Sequence, residues 1–119
     1  MSPKPSVISF GLPVEPQHSV PDPQRRLAGD PQLTVWNHYS EGTAQFYAGV
    51  WQATPGRWVV RYSEHEFCHL LAGRVVITSD AGERMEFAAG DSFVVPAGFA
   101  GTWEVTEECR KLYAIFEPR

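Results

Sequence analysis

The segment His65-Glu-Phe-Cys-His69 matches the H-E-x-x-H signature of zinc peptidases. That chemistry requires a helix, because residues i and i+4 then share a face and both imidazoles reach one zinc ion. The segment instead lies between Trp58-Val-Val-Arg-Tyr62 and Ala72-Gly73, which is a strand context. Histidines four positions apart in a strand are separated by about 13 Å, too far to bind one ion. A zinc peptidase is therefore the least favoured function.

The elements that position these residues are short β-rich segments separated by turn signals such as Thr54-Pro-Gly56 and Ser79-Asp-Ala-Gly82. No segment carries a sustained helical period of apolar residues. The predicted strands are 34–39, 45–53, 57–62, 66–71, 74–78, 83–87, 92–95, 101–105 and 110–116. This spacing predicts a single all-β domain, a sandwich or barrel, over residues 33–119.

The first 32 residues have a different composition. Seven of the ten prolines lie within the first 31 residues, among Gln, Ser, Asp and Arg. Proline removes backbone donors and fixes φ, so this stretch cannot form a regular helix or a central strand. We expect residues 1–32 to be an extended N-terminal arm, either mobile or laid over the barrel or a partner subunit, with regular structure from Leu33.

Length and charge exclude several classes of protein. A chain of 119 residues suits one domain, and 43% hydrophobic residues supply a core. A net charge of −4 with scattered charges argues against nucleic-acid and membrane partners. No run of about 18 apolar residues or secretory signal is found. Two cysteines are too few for a disulfide scaffold, so we expect reduced thiols in a cytoplasmic protein.

Two spaced patterns carry a family resemblance. The segment Gly90-Asp-Ser-Phe-Val-Val-Pro96-Ala-Gly98 resembles the second cupin motif, and Glu66 followed by Gly73, with Gly56 upstream, resembles the first. Flanking segments complete an ordered set, namely Ala48-Gly-Val-Trp51, Gly101-Thr-Trp103 and Arg110-Lys-Leu-Tyr113. From Leu33 to Pro118 the chain resembles the cupin subfamily named after the ureidoglycine aminohydrolase cupin domain. The resemblance implies a double-stranded β-helix, or RmlC-like jelly-roll barrel, paired as a homodimer.

Cupins that bind metal use three histidines and a glutamate around one ion, and here only the glutamate is present, as Glu66. The first-motif histidine positions fall at Val60 and Tyr62, or at Val59 and Arg61 if the spacing is one residue longer. The second-motif position is Gly101. One carboxylate and a phenol do not make a tight transition-metal site. We predict no cofactor with confidence; a divalent metal (Mn, Zn, Ni or Fe) would have Glu66 as its ligand.

Strand alternation predicts the pocket around Glu66. If Glu66 points inward, residues of the same parity do so too, and Gly101 in place of a histidine should open space beside Trp103. Lys111 or Tyr113 could close the set, although parity does not place them. The predicted substrate-binding residues are Val60, Cys68, Phe99, Gly101, Trp103 and Lys111.

Two roles remain open for Glu66. In an apolar pocket a carboxyl is held neutral unless it meets a cation or several donors, and it could then act as a general acid or base with Tyr62. Alternatively, Glu66 is structural and bonded to Tyr62 or Lys111. Cys68 is expected to be an inert core thiol, since a strand sends His69 to the other face.

We therefore predict a cupin that acts on or binds a small polar metabolite, with isomerase, epimerase and hydrolase as the enzyme classes in question. The alternative is a non-catalytic module that senses or carries a small ligand. The histidine losses leave a ureidoglycine aminohydrolase-like reaction less favoured.

Overall fold

The computed structural model describes residues 4–118, which contain nine strands and no helix. The strands are β1 (Gln17–Ser19), β2 (Arg26–Gly29), β3 (Leu33–Ser40), β4 (Phe46–Ala53), β5 (Gly56–Arg61), β6 (His65–Ser79), β7 (Arg84–Ala88), β8 (Ser92–Val95) and β9 (Ala100–Phe116). Every strand pair is antiparallel. Within residues 4–118 there is no helix long and apolar enough to cross a membrane.

The sheet curls because its longest strand, β9, pairs along its length with three others. Its first half pairs with β5, its second half with β4, and β6 runs beside both halves. β6 also pairs with β7 and β8, and the order on the other side is β1-β3-β4-β9-β5-β2. The enclosed core includes Leu70, Val75, Trp103 and Val105. The predicted all-β cupin barrel is confirmed.

The two long strands contain bulges where the sequence predicts turns. Predicted breaks at Ala72-Gly73 and between Val105 and Arg110 are instead register shifts between β6 and β9. Gly73 has φ of 88°, and a Cβ added there would lie 2.2 Å from the carbonyl oxygen of Glu108. The bulge moves the inward face of β6 from even residues to odd ones, so that both Leu70 and Val75 are buried.

Two short strands precede Leu33, so the prediction that regular structure begins there was wrong. β1 pairs with β3 and β2 pairs with β5, at the two ends of the sheet order. Both strands lie in proline-free stretches, and outer positions tolerate the prolines that flank them. Upstream of β1, Phe10 stacks on His38 with ring centroids 4.4 Å apart.

Candidate functional site

A buried ion pair lies at the centre of the barrel interior. Lys111 Nζ is 3.1 Å from Glu66 Oε2, and the Tyr62 hydroxyl donates to Glu66 Oε1 at 2.9 Å. The register of β6 and β9 pairs Leu70 with Lys111 and Glu66 with Ile115, which puts the lysine and the glutamate on the same inward face. Glu66 is 6% exposed and Lys111 is 3% exposed. Both oxygens of the carboxylate therefore have a donor.

Two indole rings hold the ammonium group of Lys111. Its Nζ lies 4.5 Å from the ring centroid of Trp51 and 4.3 Å from that of Trp103, within cation–π distance. Burial is the largest influence and would lower the pKa of Lys111, but the charge of Glu66, a contribution from Cys68, the hydrogen bond to Glu66 and a smaller contribution from Cys109 together raise that pKa above its ordinary 10.5. Lys111 is thus a permanent cation at neutral pH.

Burial keeps the neighbouring acidic groups in their protonated forms. It raises the pKa of Tyr62 far above its ordinary value, and the charge of Glu66 adds to the effect. Burial also raises the pKa of Cys68 to about 12, against the opposing charge of Lys111. Tyr62 is therefore a neutral hydrogen-bond donor, and Cys68 is a thiol rather than a nucleophilic thiolate.

Two cavities meet at Glu66. The first, which we call the inner chamber, has a volume of about 230 Å³. It is lined by Leu33, Trp51, Trp58, Val60, Tyr62, Glu64, Glu66, Trp103, Lys111 and Ile115. The second, which we call the vestibule, has about 440 Å³ and is lined by Gln17, Val35, Asn37, Ser40, Tyr47, Trp51, Glu66, Tyr113 and Ile115. Glu66 thus borders both spaces.

One buried donor beside the inner chamber has no partner. Trp103 is 1% exposed, and its indole Nε1, itself buried, forms no hydrogen bond with any described residue. Buried polar groups are nearly always paired, so this nitrogen is an exception in the core. The chamber itself presents an anion, a cation and a phenol, with the Trp103 ring as part of its wall.

The structure brings most of the predicted site residues together. The inner chamber is lined by Val60, Tyr62, Glu66, Trp103 and Lys111. Cys68 is fully buried. Phe99 makes an edge contact with Tyr62, at 6.2 Å between centroids, but lines a separate cavity on the other side.

Gly101 does not open space in the barrel, contrary to expectation. A Cβ at this position would lie 2.0 Å from the carbonyl oxygen of Thr78 and 3.0 Å from the Phe99 ring. The backbone of β6 therefore fills the volume that a histidine side chain would occupy, and only glycine fits this close approach.

Sequence reasoning missed two residues of the site, Trp51 and Asn37. Trp51 contacts Lys111, and the Tyr113 hydroxyl donates to Asn37 Oδ1 at 2.6 Å across the vestibule. Alternation along β4 could have placed Trp51 inward, because it shares parity with the buried Ala53. Asn37 lies on β3 beside a register shift, so the sequence alone did not indicate which face of the strand its side chain occupies.

The residues around Glu66 do not fit the metal that cupins often hold. Lys111 and Tyr62 occupy both carboxylate oxygens, and a divalent cation beside them would face the ammonium group. Within residues 4–118 no three His, Cys, Asp or Glu side chains come together as a metal-binding group. His65 and His69 lie in β6, where their ring nitrogens meet the Ala97 N–H and the Ser92 hydroxyl. The H-E-x-x-H match is thus a strand, as predicted.

The curled antiparallel sheet and its interior pocket define a cupin. The sequence matches the EutQ-like cupin domain over residues 40–113, and the chain belongs to that family. A DUF861-family protein of unknown function from Pseudomonas syringae pv. tomato DC3000 is 28% identical, with a TM-score of 0.79 over 91% of this chain. The chain spans 46% of the length of that protein.

Two further solved structures are similar. A DUF861-family protein of Thermotoga maritima is 30% identical, with a TM-score of 0.53 over 54% of this chain and 73% of that one. The EutQ protein of Clostridium difficile shares the fold, with a TM-score of 0.66 and 15% identity over 73% of this chain and 64% of that one. Comparison with curated proteins gives no match.

Proposed function

We propose that this cupin binds a small polar metabolite in the inner chamber and vestibule, and acts on it by acid–base chemistry centred on Glu66. The observation that carries the proposal is the buried Glu66–Lys111 pair at the junction of the two cavities. A buried ion pair is often no more stabilising than apolar side chains of the same volume, so stability alone is a weak reason for one here.

Each polar group has a distinct task in this scheme. Glu66 accepts or returns a proton at a carboxylate oxygen, and Tyr62, as a neutral phenol, donates a hydrogen bond to it. Lys111 stabilises negative charge that develops on the substrate, an effect that is strong where water is excluded. The ring of Trp103 forms part of the wall against which the ligand packs. Isomerisation, epimerisation and hydrolysis are the reaction classes that such a set serves.

One observation favours a second candidate, a non-catalytic binding module. Both oxygens of Glu66 are already engaged, by Lys111 and Tyr62, so the carboxylate could serve only to hold the cation in place. In that case the chamber senses or carries its ligand through Trp103 and the vestibule, and Glu66 contributes to stability alone.

The two candidates separate in one experiment. Wild-type protein and Glu66→Gln are assayed against a panel of sugars, sugar nucleotides, hydroxy acids and ureido compounds, with circular dichroism as the fold control. Loss of a general acid–base group should lower turnover by about 10²- to 10⁴-fold. The matched control is Glu64→Gln, because Glu64 lines the same chamber but is bonded to Ser63 and not to Lys111.

Turnover that survives in Glu66→Gln would contradict the catalytic role. A ligand found by native mass spectrometry of the purified protein, with no turnover across the panel, would support the binding module. Release of ammonia from a ureido compound would support the narrower ureidoglycine aminohydrolase-type assignment, which we keep only as a proposal.

We further propose that the chain forms a homodimer and that, within residues 1–32, the segment before β1 acts as an arm outside the barrel, whereas β1 and β2 extend the sheet of residues 33–119. Support comes from apolar side chains exposed on the outer face of the sheet and from the exposure of Val7.

A further inference from the structure

A second interior cavity lies at the other end of the barrel. It has a volume of about 270 Å³, the space of about nine water molecules. It is lined by Ile77, Ser79, Glu83, Met85, Phe87, Phe93, Val94, Val95, Pro96 and Phe99, none of which lines the inner chamber. We call it the distal cavity. Native cores contain few voids larger than a water molecule, so a space of this size in the barrel is unusual.

An aromatic partition separates the distal cavity from the inner chamber. Phe93 lies on the distal side and Trp103 on the other, with ring centroids 6.1 Å apart. Phe99 and Tyr62 form a second such contact, at 6.2 Å. The cavity wall is stiffened by Phe87 and Phe93, whose stacked rings are 4.0 Å apart. The distal cavity is therefore an aromatic-walled space distinct from the Glu66 site.

The one charged residue in the lining of the distal cavity is acidic. Glu83 belongs to the lining and is exposed, and its side chain forms no ion pair with a described residue. The adjacent Arg84 is paired with Glu86 instead, at 3.7 Å. The lining contains no lysine or arginine. An anionic ligand would thus lie near one acidic residue with no counter-charge in the lining.

Backbone hydrogen bonds fix the position of Glu83. The Ser79 N–H donates to the Glu83 carbonyl at 2.8 Å, and the Glu83 N–H donates to the Ser79 hydroxyl at 3.1 Å. These bonds close the turn between β6 and β7. At the open side, Met85 is 50% exposed, so an apolar side chain borders the opening.

We propose that the distal cavity binds a small organic ammonium compound with an aromatic or compact apolar body. The body occupies the space between Phe87, Phe93 and Phe99, and the cationic nitrogen faces Glu83. Aromatic faces attract cations, and a carboxylate adds the counter-charge, so both features favour the same ligand class. This site is independent of the proposed function, because the two cavities share no lining residue.

Three isosteric probes test the proposal by calorimetry or ligand-observed NMR: 2-phenylethylamine, the neutral 2-phenylethanol and the anionic phenylacetate. The amine should bind about three- to tenfold more tightly than the alcohol, and phenylacetate most weakly. Glu83→Gln should reduce the preference for the amine to less than twofold. The matched control Glu104→Gln removes a charge from β9 and should leave the preference unchanged.

Met85→Trp offers a second variant that does not depend on charge. A larger side chain at the half-exposed opening should fill the cavity and weaken all three probes at least tenfold, without affecting turnover at Glu66. The proposal is overturned if no probe binds the wild type at millimolar concentration, if the alcohol binds as tightly as the amine, or if Glu83→Gln keeps the preference. Loss of turnover in Glu66→Gln tests the role of the inner chamber and says nothing about the distal cavity.

Discussion

At the scale of single residues, Lys111 organises the inner chamber. Its ammonium group lies within 3.1 Å of Glu66 and within 4.5 Å of two indole centroids, so it holds a positive charge at a fixed place beside the carboxylate. Its long apolar stem suits this position, since it packs among aromatic rings while the charged end meets the carboxylate. Lys111 therefore presents an ammonium cation at a fixed position in the inner chamber.

Lys111→Met tests how much of the fold depends on this charge. The variant leaves Glu66 as a buried carboxylate without its cation, so the free energy of unfolding should fall by about 3–5 kcal/mol. Urea denaturation at pH 7 measures it. The double variant Glu66→Gln with Lys111→Met removes the unpaired charge as well and should recover part of the loss. A double variant no more stable than Lys111→Met would show that packing, not charge, accounts for the effect.

The two buried thiols predict an alkaline decline in stability. Burial raises the pKa of Cys68 to about 12 and that of Cys109 to about 11, from an ordinary 9.0. Above pH 9 the thiols of the unfolded chain ionise while those of the folded chain stay protonated, so the unfolded state binds fewer protons. The stability that these groups contribute is complete below pH 9 and is lost as the pH rises from 9 to 12.

Urea denaturation at pH 7.5, 9 and 10 should show this decline in the free energy of unfolding. Cys68→Ala with Cys109→Ala should be less stable at every pH, because it creates cavities, but its stability should fall less steeply above pH 9. Equal slopes for the two proteins would contradict the assignment to the thiols.

At the scale of elements, the sequence predicts where strands occur more accurately than where each strand begins and ends. The turn signal at Ala72-Gly73 does interrupt the alternation of inward and outward side chains in β6. The strand nevertheless continues through a bulge, because β9 pairs with it on both sides of this point. Pairing with a distant strand decided the outcome, and a single sequence does not contain that information. The all-β class was predictable because it follows from local spacing alone.

The same long-range pairing explains which site residues were predictable. Glu66 was placed by the motif resemblance. Tyr62 followed from alternation with Glu66 and Trp103 from alternation with Gly101, and all three residues border the inner chamber. Lys111 was left outside the parity argument because β9 was divided into two strands. In the continuous strand, the odd residues on either side of the bulge, Gly101, Trp103, Val105, Cys109, Lys111 and Tyr113, are buried, whereas Glu107 within it is exposed.

Gly73 is the position where the β6 bulge can be tested. Gly73→Ala places a residue with a Cβ at φ of 88° and within 2.2 Å of the Glu108 carbonyl oxygen. The conformation alone costs about 1–2 kcal/mol, and the clash should add about 1–3 kcal/mol. The matched control is Gly82→Ala, where φ is 89° and nothing lies within 4 Å of the added Cβ. Thermal or urea unfolding measures both, and equal losses would show that the close approach to β9 costs nothing.

At the scale of the whole molecule, the outer face of the sheet is unusually apolar. Phe67 pairs with Val94 of β8 on one side and with Ala114 of β9 on the other, and Phe116 pairs with Phe46 of β4. Together Phe46, Phe67, Val94 and Phe116 form a surface that we call the outer patch, with each side chain at least 39% exposed. Contiguous exposed apolar surface of this kind is typical of an association site.

The shape of the chain also favours association. The radius of gyration is 15.0 Å, larger than the roughly 13.5 Å of a compact domain of this length. Part of the excess comes from the segment before β1, where Val7 is 98% exposed. An extended apolar segment of this kind gains stability when it lies against a second copy.

We therefore expect a homodimer in solution that uses the outer patch. Light scattering after size-exclusion chromatography should give twice the monomer mass. Phe67→Lys with Val94→Lys places two charges in the patch, and desolvating them on association costs several kcal/mol, so this variant should be monomeric. Leu27→Lys is the matched control, because Leu27 is 49% exposed on β2, away from the patch. A monomeric wild type, or a dimer that survives the double substitution, would show that the patch does not hold two copies together.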